Sequence, residues 1–387
     1  MWGLTDSIQK FHEKIRAQMA NSLTNIKICY ISPLSIHSHR YIEAFVQKGY
    51  NISLVTDSRT WITPNELSIP LDKLPILNRK NFFQRMVPNT LRLVKILKQV
   101  SPDIVHLHAQ HQYSPAILLS HLPFILTSWG KEVLALSHAD PAWFCLAKAT
   151  ASKAEKVTVD AKCLKNIWIN MGVPEEKIEV IPFGVDTKRF NPNIDGSDIR
   201  KKLHIDEEDE VVISTRPYYS DYNISCLIRA IPSVLAKHKN VKFIVKGSGP
   251  LENHLKSIAE RLNVSSNIRF VGIVPYNEVP KYLSAADIYV STCLVDSASV
   301  SLLEAMACRL PPVVTDIPGN REWIENGKNG LLFPPKNPKA LAGKLVQLIE
   351  DKRLRQSFGR KCVQIIQDRA MWEECVSKME TIYKSLL

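Results

Sequence analysis

The chain contains 387 residues, 45% hydrophobic and 23% charged, and this length favours two folded domains over a single core. Its formal net charge of +12 is compatible with three kinds of binding partner: nucleic acid, an anionic membrane or an acidic small substrate. The sequence has no zinc-finger spacing, no RNA-binding aromatic signature and no lysine-rich tail, so we expect no nucleic-acid partner. Eight cysteines are scattered without a C-x-x-C pair, which indicates reduced cytoplasmic thiols rather than disulfides or a metal site.

The chain begins with an amphipathic N-terminal extension, residues 1–25, whose apolar residues are Trp2, Leu4, Ile8, Phe11, Ile15 and Met19. The most apolar run of the whole sequence, Ala116 to Trp129, is interrupted by His121 and Pro123 and is shorter than the roughly 20 residues that a bilayer requires. We therefore expect neither a membrane-spanning helix nor a cleavable signal.

Short β-branched runs alternate with helical stretches along the rest of the chain. In the first half, these runs are residues 26–32, 51–56, 103–108, 124–128, 156–160 and 178–184. A second series comprises residues 210–216, 241–247, 268–272, 287–292 and 312–316. Runs of this kind are typical of buried parallel strands, so the two series predict two doubly wound, Rossmann-like α/β domains.

The predicted domain boundaries follow from these two series. A domain at residues 26–190 is followed by a linker at 191–208, which is rich in Pro, Gly, Asn and acids, and then by a domain at 209–367. The last segment, 368–387, is predicted to be a helix with one apolar face: Trp372, Val376, Met379, Ile382, Tyr383 and Leu386.

The stretch "DSASVSLLEAMACRLPPVVTD", Asp296 to Asp316, places a carboxylate, Glu304, on a helix that should be buried. Ser301 and Glu304 match a capping box, S-x-x-E, which is one explanation of the acid. The other explanation is a ligand site, because ligands of open parallel sheets bind at the carboxyl ends of the strands and at helix N-termini.

Several motifs favour the ligand site. Asp296 and Glu304 have seven residues between them, and Glu304 is the first residue of "EAMA". The other motifs are "VIPFGVDTKRFNP" (Val180 to Pro192), "IVKGSGPLE" (Ile244 to Glu252), "VGIVPYNEVPKYLSAADIYVS" (Val271 to Ser291) and "PGNREWIENGKNGLLFPP" (Pro318 to Pro335). In this order, and over most of the chain, they resemble the retaining, family-4 type glycosyltransferases of the GT-B fold. The resemblance implies two Rossmann-like domains facing a central cleft, with the final helix returning to the first domain.

The resemblance also implies a donor site for a nucleoside-diphosphate sugar, with no metal and no cofactor. Asp296 would contact the donor sugar and Glu304 the ribose, because a carboxylate accepts two hydroxyl protons at once. Arg216 would bind the diphosphate together with the helix N-terminus at Ser299 and Val300. The nucleotide base would contact the backbone of Gly272, Ile273 and Val274. A UDP-sugar is favoured as the family's frequent donor.

In its second half, the sequence departs from the family at three places. Asp296 replaces a glutamate, and Asp221 replaces a lysine of the phosphate site. Lys246 is our candidate for the missing cation, the alternative being a strand-end lysine in solvent. Arg309 stands where the family has Gly, so we expect the turn there to be built without a positive φ.

In the first domain the family's glycine-rich loop is replaced by "SPLSIHSHR", Ser32 to Arg40, which contains no glycine. Its side chains His37, His39 and Arg40 either line the cleft or are solvated. By the resemblance, His108 ends a central strand near the donor sugar and is a catalytic candidate with Arg216 and Asp296. The segment "TSWGKE" resembles the family's Thr-x-His-Gly-x-Asp, with Trp129 in the His position and Glu132 in the Asp position. The resemblance implies that Trp129, Gly130 and Glu132 lie at a tight turn on the acceptor side.

The resemblance implies transfer of a hexose-type sugar, with retention, to an acceptor hydroxyl, with the leaving diphosphate itself deprotonating the acceptor.

The segment from Lys73 to Pro102 contains seven basic residues and no acid: Lys73, Arg79, Lys80, Arg85, Arg92, Lys95 and Lys98. It suits an anionic membrane surface and a lipid-linked or cell-surface glycan acceptor, and so a cytoplasmic protein peripheral to the inner face of the membrane. The alternative is that Leu91, Val94 and Leu97 simply face the core.

Three other functions remain open. A phosphorolytic enzyme could share the fold, but such enzymes are larger or need a cofactor-lysine motif that is absent here. An oxidoreductase would carry G-x-G-x-x-G after its first strand, and this sequence does not. A catalytically silent sugar-nucleotide-binding scaffold of a glycan-assembly complex is suggested by the missing lysine and by Asp296.

Overall fold

The structure of the protein is a computed structural model that describes residues 26–32, 36–56, 79–108, 113–134 and 141–387. For residues 36, 37, 79–86, 131 and 132 it describes the backbone alone. The chain divides into two compact units. The first comprises residues up to Ile181 together with Val376–Leu387, and the second comprises Pro182–Cys375.

The first unit is built on a six-stranded parallel sheet. Its strands are β1 (Lys27–Ile31), β2 (Asn51–Val55), β3 (Ile104–His108), β4 (Phe124–Ser128), β5 (Lys156–Val159) and β6 (Ile178–Val180). Their order is β2-β1-β3-β4-β5-β6. The helices are α1 (Ile36–Gln47), α2 (Arg79–Val100), α3 (Ser114–Ser120), α4 (Lys131–Leu134), α5 (Pro141–Lys153) and α6 (Lys162–Asn170).

The second unit repeats this plan with a sheet of the order β12-β11-β10-β7-β8-β9, again parallel throughout. Its strands are β7 (Glu210–Ser214), β8 (Val241–Lys246), β9 (Ile268–Gly272), β10 (Ile288–Ser291), β11 (Pro312–Thr315) and β12 (Leu331–Phe333). Its helices are α7 (Ser197–Lys202), α8 (Ile224–Leu235), α9 (Glu252–Arg261), α10 (Val279–Ser284), α11 (Val300–Ala307), α12 (Pro318–Arg321), α13 (Pro338–Glu350) and α14 (Lys352–Arg369). Short 3₁₀ turns lie at Glu175–Lys177, Ser220–Tyr222, Ser265–Asn267 and Tyr276–Glu278.

The last helix, α15 (Trp372–Ser385), begins in the second unit and belongs to the first unit from Val376 onward. Its apolar face is buried at Val376, Met379, Ile382 and Tyr383. In the first unit, Glu380 of this helix accepts hydrogen bonds from Lys48 Nζ at 2.5 Å and Tyr50 OH at 3.1 Å. The end of the chain therefore forms part of the core of the first unit.

The central strands carry the buried, β-branched pattern that predicted them. All five residues of β3 and all five of β4 are buried. A parallel sheet covered by helices on both faces buries both sides of each strand, so apolar residues run continuously instead of alternating with polar ones. These strands were predicted for that reason.

Three details differ from the sequence-based boundaries. β6 ends at Val180 instead of Gly184, because Pro182 has no N–H to donate and Gly184 turns the chain at a φ of +69°. β12 was missed, since three residues are too few to show a periodicity.

The predicted linker, residues 191–208, contains α7 and belongs to the second unit. The Arg200 guanidinium donates from Nε to the Ala285 carbonyl at 2.9 Å and from Nη2 to Asp287 at 3.0 Å. A Cβ on Gly196 would lie 2.3 Å from the Ala285 nitrogen, so this backbone is closely packed. The contacts place the unit boundary between Ile181 and Pro182.

Two predictions concern segments outside this description. The N-terminal extension, residues 1–25, lies outside the described residues, as does Lys73 of the basic segment. In the part of the chain that is described, no helix is both long and apolar enough to cross a bilayer.

Candidate functional site

The candidate donor site lies at the carboxyl ends of four adjacent strands of the second unit. Arg216 follows β7, Lys246 ends β8, Gly272 ends β9 and Asp296 follows β10. Strands β10 and β8 flank β7 on opposite sides, so the chain reverses its direction of winding at β7. Such a switch point opens a crevice for ligands in open α/β sheets.

Arg216 is at the centre of the site and is only 7% exposed. Its Nη1 donates to Ser299 Oγ at 2.6 Å and to Ser301 Oγ at 2.8 Å. Its Nη2 donates to Asp296 Oδ2 at 2.5 Å and contacts Cys293 Sγ at 3.8 Å. Both terminal nitrogens are therefore engaged by groups of the protein.

The environment of Arg216 favours its charged form. Burial lowers the pKa of the guanidinium. The neighbouring Asp296 carboxylate and nearby polar groups raise it by a larger amount, so the net pKa lies above its ordinary value. The guanidinium carbon also lies 4.3 Å from the ring centre of Tyr222, a cation–π distance. Asp296 and Arg216 thus form a nearly buried ion pair.

Helix α11 brings Glu304 into the site. Its N-cap is Ser299, whose Oγ accepts from the Leu302 N–H at 3.4 Å. Glu304 is the fifth helical residue, so it cannot complete a capping box, and the capping explanation of this acid is wrong. Glu304 is 6% exposed and accepts a hydrogen bond from Tyr276 OH at 2.7 Å. The carboxylate is therefore buried for a reason other than helix capping.

Lys246 ends β8 and is partly buried. Burial lowers its pKa, and the carboxylate of Glu304 partly opposes that change. Lys246 therefore lies close enough to Glu304 for the two charges to interact. A cation and a carboxylate are both available at this side of the site.

The turn after α11 corrects the expectation for Arg309. This residue has a φ of +67°, so the left-handed turn is formed without glycine. The Arg309 N–H donates to the Met306 carbonyl and the Leu310 N–H to the Ala305 carbonyl, each at 3.0 Å, which is a Schellman motif. Gly359 of α14 packs against this turn, where a Cβ would lie 2.3 Å from the Arg309 carbonyl oxygen. The hydrogen bonds and packing thus hold Arg309 in a conformation that glycine adopts more readily.

The remaining donor-side candidates lie on neighbouring loops. Gly272 has a φ of +75°, and Ile273, which follows it, is 77% exposed. Val274 is partly buried. Asp221, at the position of the family lysine, lies in a 3₁₀ turn. The backbone carbonyl of Asp221 accepts a hydrogen bond from the Leu294 N–H at 2.7 Å.

Glycine is required where the backbone of another motif approaches the Asp296 loop. A Cβ on Gly319, at the start of α12, would lie 2.0 Å from the Ser297 carbonyl oxygen and 2.5 Å from that of Asp296. No side chain fits in that space. The "PGN" segment therefore supports the loop that carries Asp296.

In the first unit, His108 is fully buried at the end of β3. The Trp129 ring lies 4.6 Å from the His108 ring, centre to centre, with an interplanar angle of 67°. Gly130, with a φ of +108°, makes the turn between Trp129 and α4, and its carbonyl accepts from the Val133 N–H at 2.9 Å. The structure thus brings His108 and Trp129 together.

The segment predicted as a loop, Ser32 to Arg40, is partly helical, because α1 begins at Ile36. His37 and Arg40 are therefore on a helix, where Arg40 is partly buried. The side chains of His37 and Glu132 lie outside the described part of the chain. Neither can be placed relative to the other candidates.

Sequence analysis missed two aromatic contributors to the site, Tyr276 and Tyr222, and the contact of Ser301 with Arg216. Tyr276 donates to Glu304, and its ring centre lies 5.5 Å from that of Phe190 and 5.3 Å from the Arg189 guanidinium carbon. Ser301 accepts from Arg216, and Tyr222 lies beneath the guanidinium. An aromatic residue in the loop after β9 is a weak sequence signal for Tyr276.

Comparison with known proteins identifies the family of the chain. The family model described as "Glycosyltransferase Family 4" matches residues 34–189, and the one described as "Glycosyl transferases group 1" matches residues 195–362. An uncharacterized glycosyltransferase of Methanocaldococcus jannaschii is 22% identical over 92% of this chain and 94% of its own length. A GDP-mannose-dependent monoacylated alpha-(1-6)-phosphatidylinositol monomannoside mannosyltransferase of Corynebacterium glutamicum is 28% identical over 54% of this chain and 56% of its own length.

Among solved structures, the Anabaena protein HepE in complex with UDP and glucose has a TM-score of 0.75 and 17% identity, covering 93% of this chain and 100% of that one. This similarity shows the fold. Two family models match consecutive parts of the chain, and two parallel six-stranded sheets have the architecture of that neighbour. The chain therefore belongs to the family-4 type glycosyltransferases and has their two-domain, Rossmann-like GT-B fold.

Proposed function

We propose that the protein is a retaining, metal-independent hexosyltransferase that moves a sugar from a nucleoside-diphosphate donor to an acceptor hydroxyl of a lipid-linked or cell-surface glycan. The observation that carries the proposal is the cluster at α11. One buried guanidinium, Arg216, binds both the N-terminal serines of the helix and Asp296, and Glu304 lies further along the same helix.

The diphosphate would bind at Arg216 and the N-terminus of α11. Phosphate oxygens are acceptors that a planar guanidinium and free helical N–H groups recognise well. Arg216 Nη2 donates to the carboxylate of Asp296 at 2.5 Å. The incoming diphosphate would take its place, and Asp296 would then be released to accept hydroxyl protons of the donor sugar.

The ribose would bind at Glu304. Its carboxylate is held from one side by Tyr276, and carboxylates bind vicinal hydroxyls through both oxygens. Lys246 is near Glu304 and would supply the positive charge that Asp221 does not. The backbone of Gly272, Ile273 and Val274 would contact the base.

The chemistry requires stabilisation of the charge that grows on the β-phosphate as the bond to the sugar breaks. Preorganised donors are effective at such a position, since they need no reorganisation during the reaction. Arg216, Lys246 and the N-terminus of α11 would fill this role. The leaving phosphate oxygen would accept the proton of the acceptor hydroxyl on the same face, which gives retention. His108, Trp129 and Gly130 are assigned to the sugar and acceptor side, with His37, Arg40 and Glu132.

The decisive experiment measures binding before turnover. A thermal-shift panel of UDP-, GDP- and ADP-sugars identifies the donor, and we expect the UDP-sugars to raise the Tm most. HepE was solved with UDP and glucose, and the Corynebacterium relative is described as GDP-mannose-dependent, so both nucleotides belong in the panel. Transfer of label from the stabilising donor to a glycan or lipid-linked acceptor, with the anomeric configuration kept, would establish the function.

A second candidate function is a silent sugar-nucleotide binder. The observation in its favour is that Asp296 already neutralises Arg216 while Asp221 replaces the family lysine. Such a protein would show the donor-dependent rise in Tm but neither hydrolysis nor transfer of the labelled sugar. Failure of every sugar nucleotide to raise the Tm would contradict both functions.

The lipid-linked acceptor is proposed from the surface of α2. Leu97 is buried and Val94 partly so, but Leu91 is 62% and Val87 53% exposed. The cations Arg92, Lys95 and Lys98 are exposed on the same helix. Exposed apolar side chains among cations suit an anionic bilayer, where each cation near the headgroups contributes roughly 1 kcal/mol. The Corynebacterium relative is named for a phosphatidylinositol acceptor.

Vesicle flotation tests this proposal. We expect recovery with vesicles containing phosphatidylserine, falling as salt rises, and reduced by joint replacement of Arg92, Lys95 and Lys98 with Glu. The matched control replaces exposed lysines of the second unit, Lys237, Lys239 and Lys256, with Glu, which gives the same change in net charge. Equal recovery with neutral and anionic lipid, or an equal loss in both variants, would leave a soluble glycan as the acceptor.

A further inference from the structure

A chain of hydrogen bonds runs through the core of the first unit and reaches His108. Its members are Tyr30 on β1, His106 and His108 on β3, Thr127 on β4, Thr158 on β5 and Tyr383 on α15. The strand residues share one face of the sheet, because Tyr30 is in register with His106, His108 with Thr127, and Thr127 with Thr158. Tyr383 belongs to the same unit although it lies 277 residues from His106 in sequence.

The contacts are short and continuous. Tyr30 OH lies 2.6 Å from Tyr383 OH, which in turn lies 2.5 Å from His106 Nδ1. His106 Nε2 lies 2.6 Å from Thr127 Oγ1 and 3.0 Å from His108 Nε2. Thr127 Oγ1 lies 2.5 Å from Thr158 Oγ1. Tyr30, His106, His108 and Tyr383 are fully buried.

The fold alone does not need this network. Polar groups buried in a core cost free energy unless every one is satisfied, and apolar residues of similar size would fill the same space. The neighbouring strand residues Ile104, Val105 and Leu107 show that apolar side chains suit this strand. A hydrogen-bond network that lies in a core and reaches a candidate catalytic side chain can determine which ring nitrogen of that side chain carries the proton.

Burial leaves each member of the chain with a defined number of protons. It lowers the pKa of His106 to about 3, so this ring is neutral at physiological pH and carries one N–H. Burial also raises the pKa values of Tyr30 and Tyr383, so both phenols keep their protons. Each hydroxyl can then donate one hydrogen bond, and the His106 ring can donate from one nitrogen only.

Once the donor of one hydrogen bond is assigned, these limits determine the donor and the acceptor of the others. Between a phenol and a neutral imidazole, the phenol is the stronger donor and the imidazole nitrogen the stronger acceptor, so Tyr383 OH donates to His106 Nδ1. Tyr383 has then used its proton, and Tyr30 must donate to Tyr383. Since His106 Nδ1 accepts, the single proton of that ring is on Nε2.

The same count determines the state of His108. Its Nε2 faces His106 Nε2 at 3.0 Å, and two N–H groups cannot point at each other across that distance. His108 Nε2 is therefore the bare acceptor, and neutral His108 carries its proton on Nδ1. An isolated imidazole side chain favours the opposite tautomer, with the proton on Nε2, so the network reverses the intrinsic preference.

We propose that Tyr383 and His106 are positioning residues that hold His108 as its Nδ1-protonated tautomer, so that His108 serves the sugar substrate as a hydrogen-bond donor through Nδ1 and not as a base through Nε2. The proposal rests on the proposed function in placing His108 at the substrate. It gives the C-terminal helix a part in the site, because Tyr383 lies on α15. The tautomer itself is independent of any activity.

The experiment observes the ring nitrogens of His108 directly. The full-length protein is labelled with ¹⁵N-histidine, and long-range ¹H–¹⁵N correlation distinguishes protonated from bare ring nitrogens. The signals of His108 are assigned by their loss in His108→Gln. In the ligand-free wild type we expect His108 with a protonated Nδ1 and a bare Nε2. A proton on Nε2 of His108 in the wild type would overturn the proposal without any variant.

Two matched variants test the part played by Tyr383. Tyr383→Phe removes the donor that keeps the His106 proton on Nε2, so we expect both histidines to become mixtures of tautomers. Tyr30→Phe removes an equally buried hydroxyl of the same chain but leaves the Tyr383-to-His106 bond in place, so His108 should keep the wild-type tautomer. An unchanged His108 in Tyr383→Phe, or the same mixture in both variants, would refute the role of Tyr383.

Kinetics separates this role from a merely structural one. Each variant loses one buried hydrogen bond, so the Tm should fall by similar amounts in the two variants. We expect the kcat of Tyr383→Phe to fall several-fold below that of Tyr30→Phe, with the donor KM unchanged in both. If the wild-type protein transfers no sugar but the tautomers are as expected, the proposed function fails and the network stands. Equal kcat values in active variants would show that the tautomer has no catalytic role.

Discussion

The ion pair between Arg216 and Asp296 gives the sharpest prediction, for the substitution Asp296→Asn. This change keeps the shape of the side chain and one acceptor oxygen but removes the charge that lies 2.5 Å from Arg216 Nη2. The guanidinium, 7% exposed, would then keep only the neutral oxygens of Ser299 and Ser301 and the new amide. Removing one partner of a buried pair costs about 3–5 kcal/mol. We expect about 2 kcal/mol here, since Asp296 is partly exposed and the amide oxygen still accepts a hydrogen bond.

Nucleotide binding should change in the opposite direction. At the proposed donor site of the wild type, the diphosphate of UDP would have to displace Asp296 from Arg216 and approach a negative charge. Both costs disappear in Asp296→Asn, and Arg216 gains the counter-ion that it lacks. If about 1.4 kcal/mol of the lost pairing energy is recovered in the complex, UDP binds roughly tenfold more tightly. Transfer should nevertheless be slower, since the amide is a poorer acceptor for the sugar hydroxyls.

Isothermal titration calorimetry with UDP and UMP, together with urea denaturation, checks this prediction. The gain should be smaller for UMP, which carries one phosphate group. The control is Asp287→Asn, because Asp287 accepts from Arg200 Nη2 at 3.0 Å at the amino end of β10, away from the site. That variant should lose stability without a gain in UDP affinity. Equal or weaker binding of UDP to Asp296→Asn, or the same gain in Asp287→Asn, would refute the reasoning.

Three further predictions concern other elements. Glu304→Gln should weaken donor binding by on the order of 1–3 kcal/mol while leaving the Tm near that of the wild type, because Ser299 caps the helix; much earlier melting with normal binding would contradict this. Arg309→Gly should stabilise the protein by about 0.5–1 kcal/mol by relieving its φ of +67°, and Arg309→Ala, which keeps that strain, should show no gain in urea denaturation. Truncation after Gln367 should expose the first unit to limited proteolysis, since α15 buries Tyr383 there, and an unchanged cleavage pattern would argue against it.

Much of the fold could be predicted because it depends on local patterns. Buried strands such as β3 and β4 are continuous apolar runs, and the alternation of such runs with helices specifies a parallel α/β sheet. Short elements were lost for the same reason, since β12 has only three residues. The linker was misjudged because its polar composition does not reveal that Arg200 binds Ala285 and Asp287, more than eighty residues away.

The candidate site divides in the same way. The order and spacing of its motifs predicted Arg216, Asp296 and Glu304 as site residues. Arg216 and Asp296 each follow a strand of the second unit, and Glu304 is on the helix after β10. The contacts between them could not be derived, and they decide the chemistry. Arg216 reaches Asp296 across 80 residues of sequence, and Tyr276 reaches Glu304 across 28.

By itself, the sequence determined the family and the strand series and predicted the candidate site acids, because hydrophobic periodicity and motif spacing are properties of neighbouring residues. Only the tertiary structure decided that Ser299 and not Ser301 caps α11, that Arg309 adopts the left-handed conformation, and that Tyr383 contacts His106. Each of these depends on which distant groups are brought within hydrogen-bonding or packing distance. Such proximity is set by the packing of the whole unit, and no local pattern encodes it.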